Sequence, residues 1–314
     1  MSKNRLLLYF LLSLGFHPAK SGQPFMTTYT SKEIEGHTQF WAMEQDNRGV
    51  MYIGDGYGVQ EFDGSSWRAI INPNHSFGRS LAKDADGRIY VGSSSMLGYL
   101  EADAHGRLQY RSLLEYIKPE DRIFNYVWSV HATPDGIYFQ THEKLFRFRP
   151  QPAQDGKESW HVDVWRSRNL FGYTFWLDHT LYVQQFDIGL MKMENDSLVH
   201  IPGGEQFAND RIHVMLPFPA RPNTYLIGTF SRGLFLWDGR AIRPFPIQDE
   251  QVLRQGTLYS GVITPDSCFA FGTMSAGLLV IDRDGRSKLH FSQSSGLLSN
   301  TVSCLFVEIG RAHV

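Results

Sequence analysis

The sequence is poor in cysteine: Cys268 and Cys304 are the only two among 314 residues. Two cysteines cannot staple a small disulfide scaffold, even in an oxidising compartment. A bridge between them stays open as an alternative. We expect both to be buried free thiols that pack as small hydrophobic side chains.

The sequence also lacks an excess of charge of either sign. It has 30 Lys and Arg against 32 Asp and Glu, a net charge of −2, and the two signs are interspersed. Without a basic stripe, electrostatic capture of nucleic acid or of an anionic membrane has no basis in this chain. We therefore predict no nucleic-acid partner, and a ligand that is recognised by local contacts.

A hydrophobic run long enough to span a bilayer is missing. Residues 6–16 are apolar but fall short of the roughly 20 residues that a membrane helix needs, and residues 1–5 before them are cationic. This pattern indicates a secretory signal peptide over residues 1–22, with Ala19 and Ser21 as the small residues at the cleavage site. An uncleaved anchor is the alternative.

Catalytic and metal-binding motifs are absent as well. The twelve histidines show no His-x-x-x-His or His-Glu-x-x-His spacing, and no Gly-x-Ser-x-Gly occurs. We predict no catalytic residue, no metal and no cofactor. Residues 54–58 (GDGYG) fit a loose phosphate-loop pattern, but a strand-like segment follows where a helix is required. Isolated histidines such as His131 and His213 are expected to be structural.

The acidic residues fall mostly in turns. Hydrolysis of a glycan would need two carboxylates across one bond, whereas an Asp in a turn bonds its own backbone. We assign this turn role to Asp46, Asp84, Asp86, Asp135 and Asp238.

What the sequence does contain is an internal repeat. Each copy is a β-rich run that ends in Gly or Gln, then a few polar residues, then a hairpin return. The anchors of the six copies are Gly54, Gly92, Gln140, Gln184, Gly228 and Gly272, spaced by 38, 48, 44, 44 and 44 residues. A period in this range predicts a propeller or a related array.

Each copy reads as four short strands, which describes one propeller blade. The second strand is apolar at nearly every position, as expected when neighbouring blades cover both of its faces. We predict an all-β propeller over residues 23–307, with six complete blades from about Thr38 to Phe291. Residues 296–306 resemble the first strand of a seventh blade, so we expect the domain to be incomplete. Residues 308–314 resemble a translated sequencing adapter, with a genuine terminus as the alternative.

The repeat resembles the two-component-regulator propeller repeat. The resemblance rests on segments such as 84–92 (DADGRIYVG), 233–239 (GLFLWDG) and 296–302 (GLLSNTV), and it covers nearly the whole mature chain. Two features depart from it: the second strand carries Tyr in four copies where Trp is commoner, and the third copy (141–145, THEKL) lacks the hairpin glycine.

The resemblance implies an extracytoplasmic, periplasmic sensor region of a bacterial transmembrane regulator of the Bacteroidetes type. It implies further parts of the same chain: a second propeller or a β-sandwich, a membrane span, and a kinase, cyclase or DNA-binding output module. It also implies a small-molecule ligand, with oligosaccharides as the leading class, and it allows a homodimer.

Propellers commonly bind ligands around the central channel, on the face formed by the loops after the second strand and by the starts of the innermost strands. Aromatic faces and Arg or Asn donors there would suit a sugar ring. The predicted binding residues are Tyr57, Arg79, Asn125, Trp128, Phe186, Arg211, Phe230, Arg232 and Tyr259. Met96, His142 and Met274 lie in the same loops. For Trp128, a role in the core alone is the alternative.

Two other functions stay open. One is a secreted propeller enzyme, such as a lyase or a quinone-dependent dehydrogenase, whose active site would be completed by residues that lie outside this sequence. The other is a scaffold for protein partners, because the rim of a propeller serves that role equally well.

Overall fold

The computed structural model describes residues 29–34, 39–154 and 157–308. The predicted signal peptide lies outside these residues, as does all of the predicted tail except Glu308. Within the described ranges, no helix is long and apolar enough to cross a membrane.

Six antiparallel four-stranded sheets follow one another along the chain, as the repeat predicts. Blade 1 contains β1 (Ala42–Gln45), β2 (Met51–Gly54), β3 (Gly58–Phe62) and β4 (Trp67–Ile71); blade 2 contains β5 (Gly78–Lys83), β6 (Ile89–Ser93), β7 (Leu97–Ala102) and β8 (Leu108–Ser112); blade 3 contains β9 (Ser129–Thr133), β10 (Gly136–Gln140), β11 (Lys144–Gln154) and β12 (Lys157–Arg166). Blade 4 contains β13 (Phe171–Leu177), β14 (Thr180–Gln185), β15 (Gly189–Glu194) and β16 (Ser197–His200); blade 5 contains β17 (Ile212–Pro217), β18 (Tyr225–Thr229), β19 (Leu234–Trp237) and β20 (Ile242–Pro244); blade 6 contains β21 (Leu258–Ile263), β22 (Phe269–Thr273), β23 (Leu278–Ile281) and β24 (Ser287–Phe291).

Little of the described chain is helical. The α-helices are α1 (Ser31–Ile34) and α2 (Glu250–Gly256), and four 3₁₀ turns cover Leu114–Tyr116, Pro119–Asp121, Gly204–Phe207 and Gln293–Ser295. The first two of these turns lie in the long connection from blade 2 to blade 3. That connection accounts for the longest interval of the repeat.

The six blades form a ring in which successive innermost strands contact one another: β1 with β5, β5 with β9, and so on to β17 with β21. The second strands β2, β6, β10, β18 and β22 are buried at every residue. Hydrophobic clusters join neighbouring blades; one contains Tyr52 of blade 1 together with Ile89 and Val91 of blade 2. The prediction that both faces of the second strand are covered is confirmed.

Close packing between blades explains the anchor glycines. A Cβ on Gly92 would overlap Ser80 Oγ and Val127 Cγ1, and a Cβ on Gly272 would overlap Ser260 Oγ and the carbonyl oxygen of Val302. Each glycine therefore leaves room for the backbone that enters the following blade.

The segment 301–308 after blade 6 contains no strand, but it lies where an innermost strand would lie. Val302 N–H donates to the Thr273 carbonyl at 2.8 Å and Ser260 Oγ–H donates to the Val302 carbonyl at 3.3 Å. Val127 makes the same two bonds to Ser93 and Ser80 where blade 3 begins. On the other side, Ser303 Oγ–H donates to the Phe40 carbonyl of blade 1 at 2.7 Å. A strand pairs with a neighbour in its own sheet, and the described residues contain no such neighbour for this segment.

The two cysteines are free, with Cys268 buried and Cys304 half-buried. The prediction that both are free thiols is confirmed, and the prediction that both are buried holds for Cys268 but not fully for Cys304.

Candidate functional site

One side chain from the start of each innermost strand enters the channel at the centre of the propeller. We call this set the central ring; it consists of Trp41, Arg79, Trp128, Tyr173, His213 and Tyr259. In blades 2, 4, 5 and 6 the residue sits at a break in the register between the first and second strands. A β-bulge turns a side chain away from the regular alternation, and here it directs four side chains toward the channel, where Trp41 and Trp128 join them.

Arg79 links the ring across the channel. Its guanidinium carbon lies 4.1 Å from the ring centroid of Trp41 and 4.4 Å from that of Trp128. The Nη2 group donates to the hydroxyl of Tyr259, in blade 6, at 2.8 Å. A guanidinium between two indoles is favoured electrostatically as well as by dispersion. Arg79 therefore ties blades 1, 2, 3 and 6 together at the axis.

The remaining members of the ring pack mostly by their edges. The centroid distances are 6.0 Å for Trp128 and Tyr173, 5.2 Å for Tyr173 and His213, and 5.0 Å for His213 and Tyr259. Burial, together with the positive charges of Arg211 and Arg79, lowers the pKa of His213 to about 4. Its imidazole is therefore neutral at physiological pH, in agreement with a structural role.

His131 is also structural, as predicted. Its Nε2 lies 3.0 Å from both the carbonyl oxygen and the hydroxyl of Thr174 in the next blade, and burial lowers its pKa to about 4.

A second layer of side chains surrounds the mouth of the channel above the central ring. Phe77 stacks on Tyr126 at 5.4 Å, His142 lies 4.8 Å from Trp128, and the Arg211 guanidinium lies 5.7 Å from the Phe186 ring. A recess of about 10 Å³ is lined here by Trp128, His142, Gly172, Tyr173 and Arg211.

Large apolar side chains are exposed on the same face. Of the seven exposed large hydrophobic residues among those described, all but Val199 lie in loops or strand ends at this face: Tyr57, Ile71, Ile123, Tyr126, Leu170 and Phe230. Phe230 is 45% exposed and Ile123 83%. Large apolar side chains that are exposed together on one face are a feature of binding surfaces.

The structure brings some of the predicted site residues together and separates others. Arg79, Trp128 and Tyr259 belong to the central ring, and Arg211 and Phe186 lie directly above it. Tyr57, Asn125 and Phe230 are exposed on the rim at blades 1, 3 and 5. Trp128 therefore does more than fill the core, because it also lines the recess at the mouth.

Arg232 has a different role from an open binding group. Its Nε donates to the buried Asp210 carboxylate at 3.0 Å and its Nη2 to the Gln206 carbonyl at 2.6 Å. Its guanidinium also lies 5.5 Å from Phe207 and 5.2 Å from Phe235. Removing it would leave Asp210 without its cation, so Arg232 braces the connection between blades 4 and 5. Among the other loop residues, Met96 is buried in the core.

Sequence reasoning missed Trp41 and Tyr173 and named His213 without placing it at the channel. The members of the ring precede their anchors by 13, 13, 12, 11, 15 and 13 residues. Because the first turn of each blade varies in length, the positions do not align at a fixed distance from the anchor. Aligning the starts of the innermost strands instead would have found them.

The predicted turn role is confirmed at the opposite face for Asp46, Asp84 and Asp238, whereas the carboxylate of Asp86 accepts no turn hydrogen bond among the described residues. Oδ1 of Asp46 accepts the N–H groups of Arg48 and Val50, and Oδ1 of Asp84 accepts those of Asp86 and Arg88. Asp135 differs, because its carboxylate binds the Tyr138 hydroxyl and Arg147. Within the described ranges, no three His, Cys, Asp or Glu side chains are grouped closely enough to hold a metal ion.

No protein family profile and no curated protein sequence matches the chain. Many solved structures do. They include the extracellular domain of the putative hybrid two-component system BT4673 from B. thetaiotaomicron, at 18% identity and a TM-score of 0.64, with 87% of this chain and 36% of that chain covered. The present chain thus spans about a third of that domain.

Other propellers resemble it as well. Virginiamycin B lyase from Staphylococcus aureus matches at 10% identity and a TM-score of 0.57, covering 82% of this chain and 85% of that one. Sqt1 from Saccharomyces cerevisiae matches at 11% identity and a TM-score of 0.55, covering 82% and 76%. At such identities the similarity establishes the fold. The prediction of a β-propeller is confirmed: the described residues form six blades, and the extracellular domain of the putative two-component system BT4673 contains a region of similar fold.

Proposed function

We propose that this chain is the extracytoplasmic sensor propeller of a membrane-anchored bacterial signalling protein. In this proposal it binds an oligosaccharide, or another small polar ligand, without chemical conversion. The observation that carries the proposal is the concentration of exposed large hydrophobic side chains on one face, around a channel mouth that also holds arginine. Sugars are bound by aromatic faces that cover their C–H surface and by polar groups that bond their hydroxyls.

The placement of the carboxylates favours binding over hydrolysis. Asp46, Asp84 and Asp238 accept backbone N–H bonds in turns of the opposite face. Asp210, below the mouth, is bound by Arg232 and by Ser231 Oγ–H at 2.9 Å. Carboxylates that are held in this way lack the freedom to protonate a leaving group or to activate water.

Signalling requires that the ligand stabilise one conformation of the receptor over another. The channel mouth is built from the starts of all six innermost strands, so a ligand there contacts several blades at once. Its binding energy can therefore be transmitted through the packing between blades to the parts of the protein that follow in the chain.

The experiment is a thermal-shift screen of the full chain against neutral and acidic oligosaccharides. We expect at least one to raise the melting temperature, because a ligand that binds only the folded state stabilises it by mass action. Phe230→Ala should reduce this shift while leaving the melting temperature of the free protein nearly unchanged, since the ring is exposed. Val199→Ala, an exposed hydrophobic residue away from the mouth, is the matched control and should keep the full shift. A broad screen without any stabilising oligosaccharide would contradict the proposal.

A further inference from the structure

Arg79 and Arg211 at the channel mouth have no acidic partner. Among the described residues, neither guanidinium forms an ion pair, although both are half-buried. By contrast, the buried Arg147 contacts three carboxylates and Arg232 contacts Asp210. Holding a cation partly out of water without a counter-charge is costly. A ligand that carries a negative charge would reduce this cost.

The two charges act on the same place. Both lie close enough to His213 to lower the pKa of its imidazole, with burial as the larger cause. The carboxylate of Asp210 acts in the opposite direction on this pKa. Its charge is already neutralised by Arg232, whose Nε lies 3.0 Å away. Two guanidinium groups without an ion-pair partner among the described residues therefore lie close to a neutral histidine.

The hydrogen-bonding groups at the mouth are mostly donors. The buried Nε1 of Trp128, which borders the recess, has no hydrogen-bond partner among the described residues, and the same is true of His213 Nε2. Because Nδ1 of His213 lies 3.4 Å from the Tyr259 carbonyl, Nδ1 holds the proton and Nε2 accepts. The mouth thus offers a ligand two guanidinium groups and one indole N–H as donors, and His213 Nε2 as a free acceptor.

The recess beside these groups is small. Its volume of about 10 Å³ is enough for one water molecule or one oxygen atom of a larger group. An acceptor-rich group at the end of a ligand can place an oxygen there while the rest of the ligand lies on the exposed aromatic rim.

We propose that the ligand of this propeller is an anionic oligosaccharide, whose carboxylate or sulfate group binds at Arg79 and Arg211 beside Trp128. The inference rests on the proposed function and specifies its ligand class. The carboxylate or sulfate supplies the negative charge that the two arginines lack and an acceptor for the indole N–H, and the sugar ring packs on the rim near Phe186 and Phe230.

The test is calorimetric titration of the full chain with two matched pairs of probes. Trigalacturonate is compared with its fully methyl-esterified form, and a sulfated glucosamine disaccharide with the same disaccharide without sulfate. We expect the charged member of at least one pair to bind at least tenfold tighter than its neutral counterpart, because hydrogen bonds to charged groups are worth about a factor of ten or more. The pair that shows the difference identifies the anion, and added salt should weaken that binding.

Arg211→Met is the primary variant, because Arg79 also holds Trp41 and Trp128 together. It should lose about tenfold in affinity for the charged probe, and it should leave the melting temperature of the free protein nearly unchanged. Arg79→Lys, which keeps the charge, should retain part of the binding. Arg221→Met is the control: Arg221 also lies over a phenylalanine, Phe218, at 4.6 Å, but at the opposite face.

Equal affinity for the charged and neutral probes, or undiminished affinity of Arg211→Met for the charged probe, would contradict the proposal of an anionic ligand. Stabilisation by neutral oligosaccharides alone would do the same while leaving the sensor function intact. If neither acidic nor neutral oligosaccharides bind, both proposals fall together.

Discussion

Gln184→Leu is expected to reduce the free energy of unfolding by about 4 kcal/mol. Gln184 occupies the anchor position at which four copies of the repeat carry glycine, and it is fully buried. Its Nε2 donates to the carbonyl oxygens of Phe207 and Asp210, both at 2.8 Å, and its Oε1 accepts the Ile212 N–H at 2.9 Å. Leucine has a similar volume, so the variant leaves three buried backbone groups unpaired, each at a cost of about 1–3 kcal/mol.

The measurement is urea unfolding followed by tryptophan fluorescence. Gln109→Leu is the control, because Gln109 is exposed and bonds only Asp103, at 3.1 Å; it should change stability by less than about 0.5 kcal/mol. If Gln184→Leu is as stable as the unmodified chain, the side chain does not bridge blades 4 and 5 as described.

Arg147→Met is expected to reduce the free energy of unfolding by about 3 kcal/mol at neutral pH. The Arg147 side chain is 3% exposed and contacts Asp135, Asp163 and Asp196 at 2.7, 2.8 and 2.7 Å. Breaking a buried ion pair costs about 3–5 kcal/mol, and the lower end applies because Asp135 and Asp196 reach water. Asp196 belongs to blade 4, so the variant also removes a link between blades 3 and 4.

The loss of stability caused by Arg147→Met should depend on pH. Burial acts to raise the pKa values of Asp135 and Asp163, but both lie below their ordinary values. The hydrogen bonds and charge of Arg147 outweigh burial at Asp163, and at Asp135 they do so together with a hydrogen bond from Tyr138. A carboxylate with a lowered folded-state pKa stabilises the protein above its unfolded pKa, near 3.9, and loses this contribution as the pH falls through the folded pKa. The difference between Arg147→Met and the unmodified chain should therefore shrink as the pH falls below about 4.

Arg149→Met is the matched control for this experiment. Arg149 lies two residues further along β11 and contacts the same Asp163 at 3.1 Å, but its side chain is 44% exposed. An exposed pair is worth about 0–1 kcal/mol. Equal losses in the two variants would show that burial of Arg147 is not the source of its effect.

Much of the fold could be predicted because a propeller repeats one local unit. Four short strands and a largely buried second strand are encoded within each copy of about 44 residues, and five of the six copies also contain an Asp-Gly turn. The turn aspartates show this most directly, since Asp46 and Asp84 bond backbone groups only two to four residues away. Interactions of such short range can be inferred from residues that lie close together in the sequence.

The site was less predictable, because its residues meet only when the ring is formed. Arg79 and Tyr259 are 180 residues apart and yet share a hydrogen bond. Arg232 carries the residue type of a binding group, but Asp210 and the Gln206 carbonyl hold it, and neither neighbour was apparent from the sequence. The glutamine anchors were recognised as variants of glycine, whereas only the structure showed that Gln184 crosses into the next blade.

The sequence by itself therefore determined the number of blades, the strands within each blade and the turns that join them, since these depend on local periodicity and on turn chemistry. Only the tertiary structure decided which side chains occupy the channel, which arginines are neutralised and which remain without a carboxylate. The physical reason is that breaks in strand register, which turn four of the ring side chains inward, arise only when strands pair, and that partners such as Tyr259 for Arg79 and Asp196 for Arg147 come from other blades. Those contacts exist only once the sheets have packed around a common axis.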